Sequence, residues 1–224
     1  MKKLILSAAA LAAFTLAATS CGDAPKADEA KVGEAQTVTP AATEGTTYKA
    51  DLAATKVEWI GSKPTGQHHG TIGVKEGSLM AKDNAITGGK FTMDMTSIKA
   101  DDGDAESNGK LTGHLSGADF FDSGKYPNAT FEITGVKAGV DSSAGKVLMQ
   151  GATHTITGNL MMKDMTKSIT FPAKVAMTDA NITADADFNI DRTQWGIKYN
   201  SGKGMGDKMI NDDINLKLHL VANK

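Results

Sequence analysis

Residues able to do chemistry are few and scattered in this 224-residue chain. His68 and His69 together could suggest a metal ion. Neighbours on a strand point to opposite faces, however, so the pair is poorly placed to grip one ion. His114, His154 and His219 are dispersed, and no metal site is expected. The sequence carries no G-x-S-x-G elbow, no H-E-x-x-H helix, no phosphate loop and no dinucleotide fingerprint. Gly202-Lys203-Gly204-Met205-Gly206 has the look of a phosphate loop, but no helix pattern follows it, so it reads as a hairpin loop. Asn128-Ala129-Thr130 matches a glycosylation sequon, a pattern of low specificity. The expectation is a protein that is not an enzyme and holds no cofactor.

Cys21, the one cysteine, takes its meaning from what precedes it. Lys2 and Lys3 are followed by an almost wholly apolar run from Leu4 to Ala18, then by Ser20-Cys21-Gly22. This is the layout of a secretory signal peptide, too short to span a bilayer comfortably. It resembles a bacterial lipoprotein signal, although Ala18 stands where that signal usually has Leu. The resemblance implies that residues 1–20 are removed and that Cys21 becomes the lipidated first residue. A cysteine consumed in that way cannot serve as a nucleophile. The alternative is an ordinary secreted protein cut near Ala18 with a spare thiol, which would be odd in an export compartment where cysteines usually pair. The implied location is the cell envelope, anchored to a bacterial membrane on its periplasmic side or at the cell surface.

Formal charge is −2, and removing Lys2 and Lys3 with the signal brings the mature chain near −4. No basic stripe or aromatic–basic interleaving points to nucleic acid. Residues 22–46 are rich in Ala, Glu, Lys, Pro and Thr, with no aromatic residue and no apolar period. Such a stretch buries too little apolar surface to offset its ordering entropy, so residues 21–46 read as the lipidated cysteine and a flexible tether.

From residue 47 to 223 the chain reads as one domain of short strands. Phe91, Met93 and Met95 fall on one face of their run, with Thr92, Asp94 and Thr96 on the other. The same alternation puts Phe131 with Ile133, Ile156 with Met162, and Phe188 with Ile190 on inward faces, and Phe171 belongs to a further run. About eight such runs are separated by Gly, Asn and Asp turns. Leu111 and Leu115 are spaced four apart, which predicts one short helix capped by Ser107 and ending near Gly117. No helices alternate with the strands, so a parallel fold is excluded in favour of an antiparallel barrel or sandwich.

Four stretches in this order resemble the YceI-like family of polyisoprenoid-binding or lipid-binding domains. They are Trp59-Ile60-Gly61 with His68-His69-Gly70; Leu115 with Asp119-Phe120-Phe121-Asp122 and Tyr126-Pro127-Asn128-Ala129-Thr130-Phe131; Gly158 to Lys167; and Ile190-Asp191-Arg192 with Trp195-Gly196-Ile197. The resemblance implies an all-β fold: a lipocalin-like antiparallel eight-stranded barrel with one short helix. It also implies a long isoprenoid or similar amphipathic lipid, bound non-covalently in the interior. The candidate lining is the inward set above, Phe91, Met93, Met95, Phe131, Ile133, Ile156, Met162, Phe171, Phe188 and Ile190, joined by Trp195 at a position where the family often carries Phe. For any single one of these residues, a place in a solid core is the competing reading. His69 is a barrel-end candidate that would hydrogen-bond either structure or a ligand head group. Arg192 shares inward parity with Ile190, and would contact a polar lipid head or form a salt bridge that closes the barrel end. The expected protein is a monomer, with a dimer left open. The competing classes are a structural or adhesive envelope module with a filled barrel, and a hydrolase with an unrecognised site.

Overall fold

The computed structural model describes residues 23–38, 45–141 and 147–224. The signal segment and Cys21 lie outside the described residues. Strand β1 is Asp28–Glu29, β2 is Lys31–Glu34 and β3 is Thr46–Ala50. The long hairpins follow: β4 Lys56–Lys63, β5 Gly66–Lys82 and β6 Ala85–Ala100. Helix α1 spans Ala105–Ser116. After it come β7 Asn128–Ala138, β8 His154–Met162, β9 Met165–Met177, β10 Asn181–Asp191 and β11 Asp213–Asn223.

Strands β4 to β11 each pair antiparallel with the next, and β11 pairs back onto β4, so eight strands close a barrel. Closure removes the exposed edges that an open sheet would leave. The period-two pattern decides what points inward. On β10 the inward residues Ile182, Ala186, Phe188 and Ile190 are all buried. Asp83 and Asn84 both take left-handed backbone, giving the tight two-residue turn that joins β5 to β6. Register shifts at Thr71/Gly73 and Val74/Glu76 mark bulges that let these two long strands bend round the barrel.

Two findings correct the sequence reading. The helix is capped by Asp104, whose carboxylate accepts the Ser107 backbone N–H at 2.8 Å. Ser107 therefore lies inside the first turn, although the helix does end at Gly117 as predicted. The second correction concerns the tether. Residues 28–34 are not a free linker but two strands built into the barrel wall. β9 and β10 pair directly only between Lys174–Met177 and Ile182–Asp185. Beyond that they splay apart, and the gap is filled by β1, parallel to β10, and β2, antiparallel to β9. Composition could not reveal this, because backbone hydrogen bonds offered by two open strand edges supply what the side chains lack.

Candidate functional site

The interior holds two adjoining cavities. One, of about 160 Å³, lies in the middle of the barrel and its surface is apolar. It is lined by Phe91, Phe131, Ile133, Ile156, Phe171 and Phe188 among the expected residues, with Leu79, Ile169 and Leu218. The other, of about 620 Å³, lies at the helix end, where Leu111 and Leu115 of α1 join Met95, Met162, Ile190 and Arg192 in its wall. Met93, Val57, Leu160 and Leu216 border both. The larger cavity reaches the surface beside exposed Asp207 and Lys208. Its volume falls in the range of small-molecule sites, and its polar rim against an apolar floor suits an amphipath.

Aromatic rings shape the inner cavity. Phe171 and Phe188 stack across the β9–β10 seam with centroids 4.1 Å apart and planes 12° from parallel, and Phe131 leans on Phe171 at 5.8 Å. Two glycines make room for the rings. A Cβ at Gly77 would sit 2.2 Å from Phe91, and one at Gly158 would sit 2.4 Å from Phe131. At the mouth of the larger cavity His114, Phe120 and Tyr199 form a cluster with centroids 4.8–5.4 Å apart. Together with Trp59 these are lining residues that the sequence reading did not select. They come from β4, from α1 and from two loops, and no single period links them.

Two expected site residues lie elsewhere. Trp195 is fully buried in a 3-10 turn, Arg192–Trp195, and its indole N–H donates to the Leu160 carbonyl at 3.0 Å. It packs in the core and borders neither cavity. His69 is exposed, with Nδ1 2.7 Å from the Asp101 carboxylate, and it too borders neither cavity. Its neighbour His68 borders the larger one and pairs with Asp102 at 2.9 Å. Arg192 does reach the larger cavity, yet its guanidinium is already engaged. Nε donates to the Asn211 carbonyl at 3.0 Å, Nη1 to Ile197 at 2.8 Å and Nη2 to Ile210 at 2.9 Å. Asp212 is a more distant partner at 3.4 Å. The residue staples the 196–212 connection over the barrel end, and burial pulls its pKa below the ordinary value.

An acidic group stands where β10 ends and β11 begins. Asp213 is half-buried, and burial, reinforced by Glu29, Asp191 and Asp212, pushes its carboxyl above the usual 3.8. A carboxyl raised in the folded state opposes folding once ionised; the penalty is absent below its unfolded pKa and full above the folded one. Asp213→Asn is therefore expected to raise the unfolding midpoint at neutral pH by about 1–2 °C, discounted for partial exposure, and to leave it unchanged near pH 2–3. A thermal melt at the two pH values checks this. An equal rise at both would assign the gain to something other than charge.

The YceI-like domain model matches residues 48–222. A UPF0312 protein of Pseudomonas paraeruginosa is 44% identical over 62 residues, which is 28% of this chain and 27% of the relative. Among solved structures, BcnA of Burkholderia cenocepacia superposes with a TM-score of 0.59 at 23% identity, covering 78% of this chain and 99% of that one. A polyisoprenoid binding domain from Saccharophagus degradans, implicated in plant cell wall breakdown, superposes with a TM-score of 0.52 at 13% identity over 79% of this chain and 97% of that one. At these identities the superpositions establish a shared fold.

Proposed function

The chain belongs to the YceI-like domain family, and from that premise we propose that its barrel binds a long-chain isoprenoid or similar amphipathic lipid. The protein stores or carries this lipid in the cell envelope as a monomer, held to a bacterial membrane through lipidated Cys21. The observation that carries the reading is the pair of adjoining cavities, one apolar throughout and the other opening at a polar rim. The apolar surface of the first suits part of a hydrocarbon tail, and the larger second one suits the rest of the tail and a head group at its rim. Each methylene buried contributes ~0.8 kcal/mol, so a long tail binds tightly even after its ordering costs. The Saccharophagus degradans neighbour, described as a polyisoprenoid binding domain, supports the same ligand class.

The second reading is a structural module with a filled barrel, favoured by the small volume of the central cavity, about 160 Å³. One experiment separates the two. Native mass spectrometry of protein gently extracted from membranes should show a co-bound lipid, and denaturing mass spectrometry of the same sample should show acylation of Cys21. A uniformly unliganded mass, with no uptake of added polyprenols, would establish the filled module. An unmodified Cys21, or a cut near Ala18, would overturn the anchor alone.

A further inference from the structure

At the β9–β10 seam the barrel wall is completed by a segment from outside the eight-stranded ring, as β3 completes it between β11 and β5. Residues 25–36 are held there mainly by polar contacts. The Asn189 side chain donates to the Pro25 carbonyl at 3.0 Å and to Glu29 at 2.8 Å, and the Ala30 N–H donates to the Asn189 carbonyl at 2.9 Å. Lys167 pairs with Glu34 at 2.8 Å, and Asn159 donates to the Gln36 carbonyl at 2.7 Å. Among these residues Ala27 is buried, and Ala30 and Val32 pack against the main core. A short strand with so little apolar burial belongs to the low-stability end of a fold and can open without unfolding the rest.

What lies on either side gives the opening a purpose. A cleft of about 430 Å³ runs along the outside of the segment. Phe171 borders both this cleft and the central apolar cavity, so beneath the segment one aromatic stack stands between the outside and the interior. Val140 and Leu148 are two of the few large apolar side chains left exposed among the described residues, and Val140 adjoins Asp141, which lines the cleft and pairs with Lys31 of β2. Leu148 also lines the cleft, and Asp28 clips the Leu148 and Met149 amides at 2.9 and 2.8 Å. Cys21 is seven residues before Asp28, a reach of at most about 25 Å even when fully extended. Asp23, two residues after Cys21, is held beside the β4–β5 turn, where the Gln67 side chain donates to its carbonyl at 3.3 Å, so a lipid on Cys21 would start from there, within that reach of the seam.

We propose that the β9–β10 seam lies against the bilayer and is the lipid portal of the barrel, with Asp28–Glu34 as the displaceable strand that closes it. This rests on the carrier reading above. Release of the strand lets a lipid pass sideways from the membrane, past the Phe171–Phe188 stack, without first crossing water. The partner is a lipid surface, met by Val140 and Leu148.

The test uses the full chain with Cys21→Ser, Glu34→Cys and Lys167→Cys, so that the two thiols on paired strands are the only ones present. Transfer of solanesol, a long polyprenol, from phosphatidylcholine vesicles is followed with the pair oxidised and then reduced. Oxidation is expected to slow transfer about tenfold or more without changing the final amount bound, and reduction should restore the rate. Asp28→Ala, which frees the clip, should speed transfer, and Leu148→Asp should slow it. Equal rates in oxidised and reduced protein would overturn the portal while leaving the carrier reading intact. An unchanged rate in Leu148→Asp would overturn the bilayer contact. Absence of solanesol uptake by the unlocked protein would overturn the carrier reading, and the portal with it.

Discussion

Arg192→Ala is expected to lower the unfolding free energy by about 3–5 kcal/mol, measured as a fall in the urea midpoint. Arg192 is the chain's only arginine and is 3% exposed. Its guanidinium satisfies the carbonyls of Ile197, near the start of the connection between β10 and β11, and of Ile210 and Asn211, near its end. Removing it leaves several acceptors without a donor in a site that water reaches poorly. Lys should not rescue the loss, because an ammonium is a compact donor and cannot spread across three separated carbonyls as the planar fork does. Asp212→Asn discriminates between the explanations. The Asp212 side chain is 41% exposed and 3.4 Å away, so its loss should cost under about 1 kcal/mol. If Asp212→Asn proves as damaging as Arg192→Ala, the ion pair and not the carbonyl set holds the barrel end.

The second large effect is expected at Phe188, compared with Met93. Phe188 is 1% exposed and stacked on Phe171, so Phe188→Ala should cost about 3–5 kcal/mol. Met93 is only partly buried and borders both cavities, so more of its contacts are available to a ligand. Met93→Ala should therefore cost less stability and more ligand affinity. Unfolding midpoints with lipid stripped and restored make the comparison. A bound lipid raises the wild-type midpoint by mass action and should raise both variants' less. Identical midpoints with and without lipid in all three proteins would favour the filled barrel.

Much of the fold was legible because it rests on local rules. Alternation of apolar and polar residues on β6, β7, β8 and β10 is set by the pleat, and it placed Phe91, Met95, Phe131, Ile133, Ile156, Met162, Phe188 and Ile190 on cavity walls as the structure has them. Polar turn residues at Asp83-Asn84 separated the strands for equally local reasons. The helix region was recognised from Leu111 and Leu115, with its start misplaced because Asp104 and Ser107 are both able caps.

Other features depend on partners distant in sequence. His68 and His69 sit on a strand whose facing is set by pairing with β4 and by bulges, so which histidine meets the cavity was not readable from order alone. Trp195 left its expected place because the chain turns at Arg192, and the Leu160 carbonyl, 35 residues away, accepts its N–H. Asn189 and Asn215 are register partners with the parity opposite to that of Phe188 and Leu216, which would ordinarily face water. Both are buried, and Asn189 is held to the incoming Pro25–Glu29 segment. The sequence by itself determined the strand pattern, an antiparallel barrel or sandwich, and the aromatic interior, since each follows from side chains a few residues apart, while the choice of barrel rested on the family resemblance. Only the tertiary structure decided that residues 28–34 complete the wall. That choice was made by the unpaired backbone edges of two splayed strands, and a backbone edge leaves no mark in the side-chain pattern.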